Sequence, residues 1–460
     1  MPIYLDVAAV RIQSYLAHTP ALWGRRGASA MLAGATSDER VQETVPGVEV
    51  NRAAGSADGT IHLVVPAGRD PADLALRLFT PLREQVPGAE FHAVWGEGPS
   101  YVEARRDVIN PKLADGKVLA SLPPVNEFPV VRWCYHCGVD PATRTVRLPE
   151  GREPACRDCK RRRQASLFRN RTKPGFTSEE ALLAALGRTS ENDRVEDFGE
   201  LAALGHEWRN HLATIYIDGN AMGEFFRRLE GVDKDTVSRR VTEIAREALV
   251  AAAEQVDRRG RGEPVPVIPH LVGGDDVLVS VTAELAWPFV AVYLRHFAAE
   301  ASALVDGVAL TASAAVVFAH ASHPFARCVE AADRLLSEAK RRDGGRSATV
   351  LWVDVTAEGE HPPGRRPWTL GELDARAADV DLLASREKSF RAALAAALHH
   401  PDDEVAAARA LRLAQRMEAV DLVGRLLGPE KRDAQLARDA VALTRRWVPA
   451  TWPAPEEVGR

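Results

Sequence analysis

No run of roughly 18 or more apolar residues occurs in this chain of 460 residues, so no stretch reads as a membrane-spanning helix. The start, Met1-Pro2-Ile3-Tyr4-Leu5-Asp6, lacks the basic segment and long apolar region of a signal peptide, and the chain reads as cytoplasmic. Lysine is scarce, with eight among the 59 basic residues. The net charge of −5 gives no global field for polyanions, so any nucleic-acid contact must come from local patches. Cysteine is rare too. Four of the five cysteines fall in two C-x-x-C pairs, which suits an intracellular metal site better than a disulfide framework. What remains is ordinary globular composition, 46% apolar and 27% charged, in a chain long enough for about three domains with sizeable cores.

The most informative stretch is Leu271 to Ser280. Two apolar runs flank Gly273-Gly274-Asp275-Asp276, a hairpin signal, since glycine supplies the positive φ of a tight turn. A plain hairpin needs no pair of adjacent carboxylates at its tip. They repel, and a bound cation is the usual physical reason to keep both ionised. Magnesium takes such oxygen ligands and shares them with substrate phosphates. The bland alternative is a solvated acidic turn.

Before this hairpin the chain shows the order β-α-β-β-α-β. Residues 3–8 read as a strand, 10–32 as helix interrupted near Pro20, and 48–50 and 61–65 as strands joined by a turn over 53–60. Asp70 caps a helix from Pro71 to about Val86, and 90–95 is a strand. This is the ferredoxin-like arrangement of a polymerase palm, but its hairpin carries no carboxylate pair. Asp6 is the one acid in the expected place and reads as a polar strand-end residue. The first palm is therefore read as degenerate.

Cys134-x-x-Cys137, eighteen residues, then Cys156-x-x-Cys159 has the spacing of a four-cysteine zinc site, closed and structural. His136 reads as a bystander and Cys328 as core. The run Lys160-Arg161-Arg162-Arg163, with Arg169, Arg171 and Lys173, is either a solvated helix face or a phosphate-backbone contact. Residues 187–199 read as a polar linker.

A second palm pattern starts at Leu212. A buried-type strand ends in Asp218, followed by Gly219-Asn220-Ala221-Met222-Gly223 and a helix. Backbone N–H groups at such a turn can cradle phosphate beside a metal ligand. Helix 237–256, strand 265–272, the acidic hairpin returning over 277–281, helix 287–304, strand 308–318, helix 324–341 and strand 348–353 complete a ferredoxin-like order with one extra strand. Asp218, Asp275 and Asp276 then converge at adjacent strand ends and can hold one or two cations. Lys340 is either a point charge for a triphosphate or a lysine complementing a helix C-terminus. Residues 370–447 read as helical with no visible chemistry, and His399-His400 as a solvated helix end. The expected fold class is α+β: a degenerate palm (1–125), a zinc-ribbon-like module and linker (126–205), an active palm (206–365) and a helical domain (366–460).

With Tyr4-Leu5-Asp6-Val7, Ile12-Gln13-Ser14-Tyr15 and Leu22-Trp23-Gly24-Arg25 in the first palm, and Asp218–Gly223, Gly273–Asp276, Ala312–Ala315 and Glu330–Lys340 in the second, this layout resembles the large subunit of type III CRISPR effector complexes. The active palm is also similar to those of nucleotidyl cyclases. The resemblance implies synthesis of cyclic oligoadenylate from ATP in antiviral defence, with Mg2+ or Mn2+ on Asp218, Asp275 and Asp276. It implies that backbone groups of Gly219–Gly223 cradle the ATP triphosphate; Gly274 and Lys340 are further nucleotide-binding candidates read from the residues. It also implies guide or target RNA and CRISPR backbone subunits as partners, and no membrane. The family's usual N-terminal HD nuclease is not expected, since the chain has no His-Asp dipeptide and starts at the first palm. The alternatives are a stand-alone cyclic dinucleotide synthase and a non-catalytic scaffold for RNA or partner subunits.

Overall fold

The computed structural model describes residues 1–54, 59–123, 130–148, 151–167, 177–188, 190–229, 233–304, 310–342, 344–360, 364–428, 430 and 432–453. Three sheets organise them. The first has strands β1 (Ile3–Val10), β2 (Glu49–Val50), β3 (Thr60–Val65), β4 (Glu90–Glu97) and β5 (Leu119–Ser121) in the order β2-β3-β1-β4-β5. That is the ferredoxin-like order with β5 added beside β4. Alternation along β1 puts Leu5 and Val7 on one face, where they meet Leu63 and Phe91 from the flanking strands and Leu74, Leu78 and Leu82 from the helix Pro71–Gln85. Asp70 caps that helix through the Ala72 N–H at 3.0 Å. The tip of the β2–β3 turn, residues 55–58, lies outside the described residues.

The zinc-ribbon-like module is a hairpin of β6 (Arg144–Leu148) and β7 (Gly151–Ala155) followed by the helix Arg157–Ser166. This helix lies against the first-palm helix Leu22–Ala35. A β-carbon on Gly27 would fall 2.0 Å from the Arg162 carbonyl oxygen, so only glycine permits the crossing. Arg162 corrects the reading of the basic run as surface. Its side chain is fully buried, bound to Asp158 (2.5 Å) and to the Tyr15 carbonyl (2.9 Å), with its guanidinium 4.1 Å from the centre of the Tyr15 ring. Arg169, Arg171 and Lys173 lie outside the described residues. The stretch read as a linker is also packed: Arg188, Asp193 and Val195 are buried, and Arg188 pairs with Asp257 at 2.6 Å.

The second sheet has strands β8 (His211–Gly219), β9 (Val267–Gly273), β10 (Asp276–Thr282), β11 (Ala312–His320), β12 (Thr349–Asp354) and β13 (Trp368–Thr369), in the order β13-β12-β11-β8-β10-β9. The expected extra strand is β12, parallel to β11 through the crossover helix Phe325–Arg341; the two-residue β13 was not foreseen. Helices Lys234–Val256 and Ala286–Ser302 cover one face. Phe325–Arg341 covers the other, where Leu22 of the first palm joins the core. Five helices follow (Leu370–Ala384, Lys388–Leu398, Asp403–Arg416, Val420–Leu426 and Ala434–Leu443), and their apolar residues run continuously into the core beneath the sheet. Trp447 lies 5.9 Å, ring centre to ring centre, from Trp287 of that sheet's covering helix. His400 bonds locally to the Asp402 backbone, as a helix-end residue does. No helix among the described residues is long and apolar enough to cross a membrane.

Candidate active site

β8 reads Leu212-Ala213-Thr214-Ile215-Tyr216-Ile217, a buried run of the kind a central strand requires, and it delivers Asp218 to its end opposite Ser313 of β11. On the other side β10 pairs with β8 from Val277↔Ile217, so Asp276 stands beside Asp218 one step further along. The β9–β10 hairpin closes on the pair Gly273↔Asp276. Its turn residues are Gly274 and Asp275, and Gly274 alone of the two glycines has positive φ (+64°). A glycine at the first turn position fits a type II′ hairpin.

The three carboxylates meet at this one end of the sheet. Burial, then the neighbouring Asp218, pushes Asp275 up to about 7. Burial, then Asp218 and Asp275, pushes Asp276 up to about 8. Three acids this close hold extra protons unless a cation joins them. Lys340 supplies one positive charge. It ends the helix Phe325–Arg341 and donates to Asp218 and to the Gly219 carbonyl, the latter at 2.8 Å. Underneath, the buried Tyr293 hydroxyl has no hydrogen-bond partner among the described residues, and burial followed by the three carboxylates drives its pKa up.

The turn Gly219–Gly223 is held from below. The Asn220 side chain is buried and donates to Thr311 Oγ1 (2.8 Å) and the Ser347 carbonyl (3.0 Å), so it anchors the loop. Ala221 takes a left-handed conformation (φ 49°) ahead of the helix Met222–Arg228, and Ala221 and Gly223 are exposed.

The first palm faces this site with different chemistry. Asp6 is buried and accepts from Tyr101 (2.9 Å) while bonding His62 Nδ1 (2.7 Å), so it is a structural acid. Arg105 donates to the Tyr101 hydroxyl at 3.3 Å. Tyr101 first, then Asp6 and the second palm's Asp275, hold its guanidinium charged. The two palms also touch where Asp235 accepts the backbone N–H groups of Tyr101 (3.4 Å) and Val102 (3.2 Å). Sequence reasoning missed Tyr101, Arg105 and Tyr293. The four-residue spacing of Tyr101 and Arg105, which puts both on one helical face, was the available signal.

The four cysteines form a second centre. The sulfurs of Cys134, Cys137, Cys156 and Cys159 all lie within 4.8 Å of one another, and three of these residues are buried. Four thiolates at this separation fit a closed tetrahedral zinc site. Cys156 also caps its helix, accepting the Cys159 N–H at 3.3 Å. His136 is not among the clustered groups. Cys328 is buried in the second-palm core.

The fold is thus one of paired ferredoxin-like palms with a cysteine cluster and three carboxylates on one palm. Residues 211–350 match the family model of the Cas10/Cmr2 second palm domain, which bears out the resemblance to the type III CRISPR large subunit. No curated protein matches the chain. Among solved structures it is similar to the Csm1-Csm4 cassette in complex with cA4 (TM-score 0.62, 15% identity, 97% of this chain and 69% of that one). It is also similar to the same cassette in complex with AMPPNP (0.60, 15%, 97% and 70%) and to Csm1 in T.onnurineus (0.56, 17%, 97% and 69%). At these identities the likeness is one of fold.

Proposed function

We propose that the chain is a metal-dependent nucleotidyl cyclase that joins ATP into cyclic oligoadenylate with release of pyrophosphate, in a type III CRISPR-like defence. The observation that carries this reading is the convergence of Asp218, Asp275 and Asp276 at one sheet end, with Asp275 and Asp276 pushed up by burial and mutual repulsion. The match of this sheet to a Cas10/Cmr2 second palm supports it, as do the structures of similar fold that hold cA4 and AMPPNP.

The donor set fits a hard divalent cation, Mg2+ or Mn2+, held by the three aspartates. Such an ion, when bound, lowers the pKa of an attacking hydroxyl and neutralises charge on departing pyrophosphate. The chain's own groups do the positioning. The exposed residues Ala221 and Gly223, on a loop anchored through Asn220, would offer their backbone N–H groups to the phosphates. Lys340 orients Asp218 and adds a positive charge beside it. Arg105 contributes positive charge from the opposite palm. With both reactants held across the groove, the reaction needs alignment and charge stabilisation, and no protein nucleophile. In this reading the cysteine cluster holds zinc structurally, and CRISPR backbone subunits and RNA are the partners.

The test is incubation of the purified chain with all four nucleoside triphosphates and Mg2+ or Mn2+, with and without RNA, followed by mass spectrometry of the products. Adenylates linked 3′–5′ and pyrophosphate are expected, and both should vanish in Asp275→Ala/Asp276→Ala. Products that persist in that variant, or rings built from guanosine alone, would overturn the assignment.

A further inference from the structure

Arg25 is a buried cation without a counter-charge. It lies on the first-palm helix Leu22–Ala35, only 3% exposed, and none of its three guanidinium nitrogens has a hydrogen-bond partner among the described residues. Its surroundings belong to the second palm. The guanidinium carbon is 3.4 Å from the centre of the Phe325 ring and 5.0 Å from that of Phe198. Those rings offset part of the cost of burial through cation–π contact. They cannot accept five N–H groups.

Among the described residues no neighbouring side chain supplies the missing negative charge. Cys328 is the closest candidate in chemistry, but burial pushes its thiol up to about 11, so it stays neutral near pH 7. Glu179 is engaged by Arg26 (2.9 Å) and Arg194 (2.7 Å), and so is already taken up. His270, 4.6 Å from the Phe325 ring, is buried, and burial drives its pKa well down, so it adds no charge of either sign. Arg25 is therefore left as a buried positive charge with no counter-charge among the described residues. Isolated charge of this kind is costly to bury unless it is paired.

Beside these groups lies a cavity of about 20 Å³, lined by Arg25, Arg26, Glu179, His270 and Phe325 among others. A space of this size admits a single small particle, a water molecule or a monatomic ion. We propose that this cavity is a binding site for a small monovalent anion of chloride size, held by Arg25 and shared between the palms. A halide fits where a phosphate or a carboxylate-bearing metabolite would not. The site is not an exposed basic patch, because every charged group at it is at least nine-tenths buried or already paired. His270 lies on β9, four residues before Gly274, so the anion would join the first palm to the strand that carries the acidic hairpin.

The test compares thermal unfolding of the full chain in sodium chloride, sodium bromide and sodium gluconate at equal ionic strength and pH. We expect a Tm several degrees higher in either halide than in gluconate, and equal values in all three salts for Arg25→Met. Should Arg25→Met fail to fold, crystals soaked in bromide give an independent reading, with an anomalous peak expected within hydrogen-bonding distance of the Arg25 guanidinium. Equal Tm values for the unaltered chain in halide and gluconate, or a site holding only water in bromide, would overturn the proposal.

Discussion

Gly219 and Asp275 approach so closely that a β-carbon at position 219 would sit 2.5 Å from Asp275 Oδ2 and 3.0 Å from Asp275 Cβ. The strand that ends in Asp218 and the hairpin that carries Asp275 are thus locked together by the absence of a side chain. Gly219→Ala should therefore displace the Asp275 carboxylate and lower turnover by about 100-fold or more, since a shift of about 1 Å at reacting groups has effects of that order. The fold should survive, with the Tm within a few degrees of the parent. Initial rates of pyrophosphate release beside a melting curve separate the two effects; an active Gly219→Ala would show that Asp275 need not stand where it does.

A second expectation concerns pH. Asp275 and Asp276 sit at about 7 and 8 in the folded chain, against an ordinary carboxylate value of about 4. Raised pKa values mean that the metal-free fold binds more protons than the unfolded chain does. Its stability is fully present below about pH 4 and is lost as pH rises through 7 to 8. Melting in excess EDTA should fall across that window, Mg2+ should restore it most at the alkaline end, and Asp276→Asn should flatten the decline. Both carboxylates are partly open to solvent, so the effect should be about 1–2 kcal/mol. A metal-free melting curve independent of pH from 5 to 9 would contradict the electrostatic description of the site.

Lys340 gives a third. Its ammonium bonds Asp218 and the Gly219 carbonyl. Lys340→Met should free Asp218 and remove a positive charge from the phosphate side, lowering kcat by roughly 10- to 100-fold and raising the KM for ATP. Lys340→Arg should rescue only in part, because the larger planar group cannot make both contacts in the same space. Steady-state kinetics on both variants distinguishes this from a lysine that serves only its helix end, whose loss would shift the Tm and leave KM alone.

The cysteine cluster gives a fourth. Metal analysis should find about one zinc per chain, absent in Cys159→Ser. Cys159 and Asp158 share one helical turn with Arg162, which is bound to Tyr15 of the first palm. Loss of zinc should therefore unsettle the first palm as well, with a fall in Tm and faster amide exchange over Ile12–Ala17. Exchange confined to the hairpin of β6 and β7 would show that the two are energetically separate.

The sequence showed what depends on local pattern. The strand ending at Asp218, the acidic hairpin and the C-x-x-C pairs carry their geometry in neighbouring residues, and most of the strands expected in the two sheets appear close to their expected bounds, whereas β5, β13 and the helix Asp38–Thr44 were not expected. It did not show which charges are surface charges. Arg162 sits in a run of four basic residues that looks solvated, yet the space left by Gly27, 135 positions earlier, turns it inward. Arg25, Arg105 and Asp235 acquire their roles from the meeting of two palms, and nothing in a one-dimensional pattern records that meeting. The stretch 187–199 looked like a linker because it is polar; buried ion pairs, such as Arg188 with Asp257, are what make its polarity compatible with packing.

The continuous core beneath the second sheet bears on the order in which this protein can assemble. Trp287, Trp352, Trp368 and Trp447 form one chain of ring contacts, with centres 5.5 to 5.9 Å apart, from the covering helix of the sheet to the last turn after Ala434–Leu443. While the ribosome is still making the helices, the sheet that carries Asp218, Asp275 and Asp276 has one apolar surface open to water. The first palm, whose buried core residues run from Leu5 to Ala93, can begin to form as it emerges. The acidic sheet is not covered until Trp447 is made, so the nascent chain passes through a stage in which that sheet's apolar face is open and a chaperone has most to bind.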